Sequence, residues 1–368
     1  MKSIKGFNVL IMGAFFAKVF GFLREALFFV FLGYNNDFSQ ILSLLAFTSV
    51  AIVFADTSLL NPILFPKWEK LDKPTIKINY NKASFAIISF SLCIYLFNFY
   101  FVQNTQSTLV NIIASTIWIP LLFQGIFYSV LLYVGQYKKF AVSITSISLM
   151  YLLFFYFFRE LGGLGYLYSR VASILIGTIL LFYFSFKNLK LIHVKNTNYK
   201  VKTSIINFLN TNNVLWVVLF IKIYFSIFYT DEMAILNYSL VICLAFYTLI
   251  GKNINALYLK NFQTEKAGFE LYRSRYLILA APFVVIIVAL SFIKASIAKI
   301  IINENNFQMI YKTLDHNVVL SLIIIAVGFI DLVNQKSVKK SKSKYSLINA
   351  LFVIALLALY LLITPSIL

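Results

Sequence analysis

The segment Met12 to Asp37, MGAFFAKVFGFLREALFFVFLGYNND, is apolar for long enough to cross a bilayer, yet it carries Lys18, Arg24 and Glu25 inside the run. At 1.5 Å rise per residue these charges fall well inside the membrane, where a cation costs about 2.5 to 3.5 kcal/mol. Such a residue is tolerated where it faces a wet cavity or a partner of opposite charge. Lys18 and Glu25 are seven apart and share a helix face, with Arg24 about 100° round from Glu25. Two readings stay open: an ion pair that neutralises itself between helices, or a basic cavity for an anionic ligand.

The rest of the chain sets that span in context. Of 368 residues 61% are hydrophobic and 12% charged, with a mean hydropathy of +0.85, which describes a polytopic membrane protein rather than a soluble domain. Eleven spans are predicted, at 8–33, 38–65, 83–103, 108–135, 139–158, 162–186, 205–229, 233–257, 275–300, 317–335 and 345–364. Cys93 and Cys243 lie inside apolar runs and offer neither a disulfide framework nor a metal spacing. His193 and His316 stand alone near segment ends, where solvated or interfacial roles are expected and a zinc site is not. No cofactor is expected. The opening Met-Lys-Ser-Ile-Lys runs straight into the first span without a signal-peptide cleavage pattern, so that span is read as retained.

The net charge of +19 is not spread evenly. Most of the 32 Lys and Arg fall at the N-terminus and in alternate connections, such as Lys67 to Lys82, Lys187 to Lys202 and Lys336 to Lys344; the opposite connections hold Arg159 and Lys312. That asymmetry predicts a cytoplasmic N-terminus and, with eleven spans, an external C-terminus. It also reads the basic charge as membrane topology rather than nucleic-acid binding. The opposite connections are short, which excludes the sizeable outer loops of polytopic glycosyltransferases, and no Ser, His and acid constellation supports a hydrolase.

The long hydrophilic stretch Lys187 to Lys202 divides the chain into a six-span lobe, 1–190, and a five-span lobe, 191–368, arranged around a central cavity as in parallel transporter repeats. Lys18 lies in the first span of one lobe and Lys222 in the first span of the other, and Arg170 in YLYSRVAS is a further cavity candidate. For Lys222 and Arg170 the alternative is snorkelling to a nearby surface. Asp56, near Pro62, is a candidate for ion coupling or for pairing with Lys18. Asp37 marks the outer turn of the first hairpin, and Asp331, beside the C-terminal lysines, is expected as a surface pair. Pro120 and Gly125 interrupt the fourth span, a break seen both in transport paths and in ordinary membrane helices.

Four stretches, KVFGFLREALFFVFLGYNNDFSQ, VFADTSLLNPILFPKWEK, PLLFQGIFYSVLLYVGQYKKFA and GGLGYLYSRVASILIGTILLFYFSFKNLK, occur in an order and spacing that resembles the MviN/MurJ family of lipid II flippases. That family lies within the MATE/MOP exporter superfamily. The likeness is clearest over residues 10 to 190. It implies translocation of a polyprenyl-pyrophosphate-linked saccharide across the bacterial cytoplasmic membrane by alternating access. Coupling to a proton or sodium gradient or to the membrane potential is expected with it, as are partners among glycosyltransferases or a polymerase of the same pathway. Lys18, Arg24 and Asp37 fall on charged cavity or gate positions of the pattern. Two departures point from lipid II to a related lipid-linked oligosaccharide: Ala51 and Ile52 replace a basic pair, and Tyr238-Ser239-Leu240-Val241 replaces A-D-R-L. The chain also stops at eleven spans where the family has fourteen. Lys18, Arg24, Arg170 and Lys222 are the expected substrate-binding residues, and Glu25, Asp37 and Asp56 the gate or ion-coupling residues. A drug exporter of the same superfamily and a non-transporting membrane scaffold are the alternatives.

Overall fold

A computed structural model describes residues 2–55, 60, 64–65, 68, 71, 73–102, 107–193, 213–247, 269–292, 307–339 and 343–367. Each predicted span carries a helix. In chain order these are α1 (Lys2–Phe31), α2 (Asn36–Ala55), α3 (Tyr80–Phe101), α4 (Thr108–Thr116), α5 (Trp118–Tyr133), α6 (Tyr137–Phe158), α7 (Gly163–Ser185), α8 (Asn213–Phe228), α9 (Met233–Phe246), α10 (Phe269–Phe292), α11 (Phe307–Lys339) and α12 (Ser343–Ile367). Among the described residues five stretches are long and apolar enough to cross a membrane: Tyr80–Phe101, Thr108–Tyr133, Tyr137–Leu161, Gly163–Asn188 and Asp315–Asn334. The molecule is an all-α polytopic protein with one small addition, the strands β1 (Thr75–Ile78) and β2 (Lys190–His193), which pair in parallel.

The chain forms two compact units, one of Met1–Val201 with Lys222–Met233, the other of Lys202–Ile221 with Ala234–Leu368. The division is not a single cut in the chain, because the second half of α8 and the turn after it belong with the first unit.

In the first unit α1 packs along α6, which packs on α7, while α2 lies against α4, α5 and α7. The α1–α6 approach depends on Gly13, where an added Cβ would collide with Ala141. The small residue lets the two backbones meet, and Thr145 Oγ1 donates to the Gly13 carbonyl at 3.2 Å. Polar side chains fasten the other contacts. Thr48 Oγ1 on α2 donates to the Ala114 carbonyl at 2.7 Å, Asn98 Nδ2 on α3 donates to the Leu44 carbonyl at 3.1 Å, and Gln124 Nε2 on α5 donates to the Ile174 carbonyl at 2.7 Å. In hydrocarbon such groups have no water to turn to, so each interhelical bond also fixes register.

The expected interruption of the fourth span falls at Ile117, between α4 and α5. Pro120 then sits in the first turn of α5, where its missing N–H costs nothing and its ring avoids an uninterrupted preceding turn. Gly125 is buried inside the continuous helix and breaks nothing.

The second unit contains two departures from the sequence expectation. Asp331 is fully buried rather than at the surface. Its carboxylate accepts from the backbone N–H of Asn213 at 2.8 Å and of Val214 at 3.3 Å, from Asn213 Nδ2 at 2.7 Å and from the Tyr247 hydroxyl at 3.4 Å. The first N–H groups of a helix lack intrahelical acceptors and carry partial positive charge, so an acid on α11 completes the start of α8. His316 is likewise fully buried, with Nδ1 3.2 Å from the Tyr360 hydroxyl on α12. Nearby, Ser321 Oγ contacts Cys243 Sγ at 3.1 Å, and α10 is tied to α11 by the Tyr276 hydroxyl, which donates to the Ile325 carbonyl at 2.9 Å.

Candidate functional site

Arg24, Glu25 and Arg170 of the first unit converge on an aromatic wall. Phe28 lies one turn after Arg24 and Glu25 on α1 and is fully buried. Its ring meets Phe155 of α6 at 4.4 Å, Tyr166 of α7 at 4.9 Å, Tyr151 of α6 at 5.8 Å and Phe38 of α2 at 6.2 Å. Tyr166 also packs on Phe38 at 5.1 Å. Four helices therefore meet at one ring, and edge-on geometry prevails, as the ring quadrupoles favour.

Arg24 leans over this wall. Its guanidinium carbon lies 4.4 Å from the Tyr151 ring centre and 5.5 Å from that of Phe28, an attraction that strengthens as water is excluded. Nε and Nη2 both donate to Oε1 of Glu25, at 3.1 and 2.5 Å. The side chains stay partly accessible, at 22% for Arg24 and 10% for Glu25. The sequence left open whether Arg24 serves a pair or a ligand; the pair exists, and it occupies two of the five N–H groups a guanidinium offers.

Arg170 enters the same region from α7, where Nη1 donates to the hydroxyl of Tyr166, one turn earlier, at 3.2 Å. Tyr151 is buried and its hydroxyl has no hydrogen-bond partner among the described residues, although it lies within electrostatic reach of both arginines. Lys222, on the part of α8 that belongs to this unit, lies within reach of Arg170 and Glu25. Its segment is anchored through the following turn, where Ser39 Oγ on α2 donates to the Asp231 carbonyl at 3.0 Å.

Three of the four expected cations are thus linked in one chain of neighbours: Arg24 pairs with Glu25, Arg170 lies within electrostatic reach of Arg24, and Lys222 within reach of Arg170 and Glu25. Lys18 is half-buried on α1, about 10 Å along the axis from Glu25. Asp37 is exposed in the first turn of α2, its N–H donating to Asn35 Oδ1 at 2.9 Å. The start of α7 comes so close that a Cβ on Gly163 would sit 2.8 Å from the Asp37 carbonyl oxygen. Asp56 lies outside the described residues. The sequence did not single out Tyr151 or Tyr166. Tyr166 had a signal, its four-residue spacing from Arg170; Tyr151 had none.

No family model and no curated protein matches the sequence. Solved structures do. A structure of the lipid II flippase MurJ in an inward closed conformation matches with a TM-score of 0.56 and 15% identity, over 98% of this chain and 87% of that one. An outward-facing multidrug resistance MATE transporter of the MOP superfamily also gives a TM-score of 0.56, with 9% identity over 99% and 96% of the two chains. The chain has the fold of the MOP-superfamily transporters. A MOP transporter from Pyrococcus furiosus, described as having a binding pocket of reversed polarity, matches with a TM-score of 0.52 and 12% identity, over 98% of this chain and 88% of that one. At 9 to 15% identity the likeness to these solved structures is one of fold.

Proposed function

We propose that this chain is a flippase that moves a polyprenyl-(pyro)phosphate-linked saccharide across the bacterial cytoplasmic membrane by alternating access. The observation that carries the reading is that Arg24, Arg170 and Lys222 lie within electrostatic reach of one another in turn, Arg24 to Arg170 and Arg170 to Lys222, with Glu25 the acid that the described residues place among them, in one unit of a MOP fold. A diphosphate brings several anionic oxygens and a planar fork grips them in pairs, while the lipid tail stays in the bilayer. In this reading Glu25 holds Arg24 while the site is empty and yields it to phosphate, and the Tyr151 hydroxyl is left to donate to a ligand oxygen. Lys18 extends the positive track along α1, and Asp37 and Asp56 serve as gate or coupling acids.

The second reading, a small-molecule exporter, draws on the aromatic wall of Phe28, Tyr151 and Tyr166 beside Glu25, a surface on which a cationic drug ring would stack. That MOP folds include a transporter described by its reversed pocket polarity makes the sign of the local charge a reasonable discriminator.

Proteoliposomes separate the readings. With a fluorescent polyprenyl-diphosphate sugar in both leaflets, the wild-type chain should expose the inner pool to an impermeant quencher within minutes. Arg170→Gln should slow this at least tenfold, whereas Tyr166→Phe, which keeps the ring, should slow it only a few-fold. Movement of a cationic dye without movement of the labelled lipid would favour the exporter, and movement of neither would favour the scaffold.

A further inference from the structure

The pairing of β1 with β2 joins two lysine-rich connections. Residues 66–82 hold five lysines against Glu69 and Asp72, and residues 186–202 hold five lysines and no acid. The register sets Thr75 opposite Lys190, Ile76 opposite Leu191, Lys77 opposite Ile192 and Ile78 opposite His193. Opposed residues of a parallel pair point to the same side and successive residues alternate. Lys77 and Lys190 therefore share one face with Thr75 and Ile192, and Ile76, Ile78 and Leu191 share the other with His193. Both lysines are exposed, and Leu191 is 54% exposed.

The ribbon also stands where membrane-length helices end. Tyr80 opens α3 two residues after β1, and the Gly163–Asn188 stretch closes just before β2. The Tyr80 ring, 52% exposed, stacks on His193 with centres 4.9 Å apart and planes 2° apart. Trp68 buttresses the ribbon from within the unit, its Nε1 donating to the Thr75 carbonyl at 3.0 Å while its ring packs on Tyr133 at the end of α5. Exposed Lys138 and Lys139 follow that helix end directly.

An interfacial tyrosine, an apolar strand face and a lysine face at the ends of membrane helices match one chemistry, an anionic phospholipid, whose phosphodiester takes the lysines and whose upper acyl chain takes the apolar side. We infer that the β1–β2 ribbon is a docking site for anionic phospholipid headgroups, separate from the Arg24 cluster and independent of what the chain transports. The ribbon thereby holds this end of the unit at the headgroup level of a negatively charged leaflet.

The test uses the full chain purified in detergent and titrated with phosphatidylglycerol or phosphatidylcholine, with bound lipid read by native mass spectrometry. Phosphatidylglycerol should be retained preferentially. Lys77→Gln with Lys190→Gln should weaken its retention roughly 25-fold, about fivefold for each lysine. Lys77→Arg with Lys190→Arg should preserve it, as should Arg275→Gln, which removes an exposed cation of the second unit. Salt supplies a reading that needs no variant, since the preference should shrink as ionic strength rises. Equal retention of the two lipids by the wild-type chain, a salt-independent preference, or an unchanged preference in the Gln pair would overturn the proposal. An anionic protein partner as the true occupant would give the first of these results.

Discussion

Nε and Nη2 of Arg24 converge on a single oxygen, Oε1 of Glu25, at 3.1 and 2.5 Å. Adjacent residues on a helix do not normally face one another, so this contact bends two neighbouring side chains toward the same spot. The pair leaves Arg24 with N–H groups to spare, and that asymmetry gives the first prediction.

Arg24→Lys should keep the ion pair and near-normal abundance while slowing transport at least tenfold, because an ammonium does not grip two phosphate oxygens in one plane. Arg24→Ala removes the guanidinium that donates twice to buried Glu25, a loss of about 3 kcal/mol, and should lower the amount of folded protein. The double change Arg24→Ala with Glu25→Ala should restore abundance. If it also restores transport of the labelled lipid, Arg24 is a structural partner of Glu25 and not a substrate clamp. The measurement is flipping rate per folded molecule in the three variants.

Asp331 gives a prediction about stability alone. It satisfies two backbone N–H groups at the start of α8 and two side chains besides. Asp331→Asn retains one carbonyl oxygen and should cost about 1 to 2 kcal/mol, while Asp331→Ala strips every acceptor and should cost about 3 kcal/mol. Thermal unfolding in detergent reads the order. Equal melting temperatures for wild type and Asp331→Ala would contradict the capping role.

The third prediction concerns the tight approach of α1 and α6. Gly13→Ala puts a methyl group into the space of Ala141 and should destabilise the protein by about 1 to 3 kcal/mol, the usual cost of overpacking. Ala141→Gly in the same chain should recover only part of that loss, because the added Cβ would still sit 2.7 Å from the Cα of residue 141. A double-mutant cycle on unfolding temperature gives the coupling between the two positions, and additive losses would show that the backbones do not meet there.

The helices were legible because the bilayer leaves a chain few choices: a long apolar run must satisfy its own backbone, and it does so as a helix. Arg24, Glu25, Arg170 and Lys222 were legible for the complementary reason, since a charge in such a run is conspicuous. Tyr151 and Tyr166 were not, because in a chain with 39 Phe and 23 Tyr an aromatic residue carries no mark until its neighbours are known. Asp331 was read from the lysines near it in sequence, whereas its partner Asn213 lies 118 positions away. The strands escaped for both reasons at once: each has four residues, and each finds its pair in a segment more than a hundred residues off.

The interruption at Ile117 carries a mechanical consequence. Thr48 and Asn98 reach the α4 side of it, through the Ala114 carbonyl and Asn111 Oδ1, and Trp118 Nε1 on the α5 side donates to Ser91 Oγ of α3 at 3.1 Å. A continuous helix spreads bending over its whole length, but a helix interrupted at one residue and pinned on both sides of it concentrates bending there. In the proposed transport cycle a tilt of α5 would therefore turn at Ile117, beside the contacts that α2 and α3 make on either side of it.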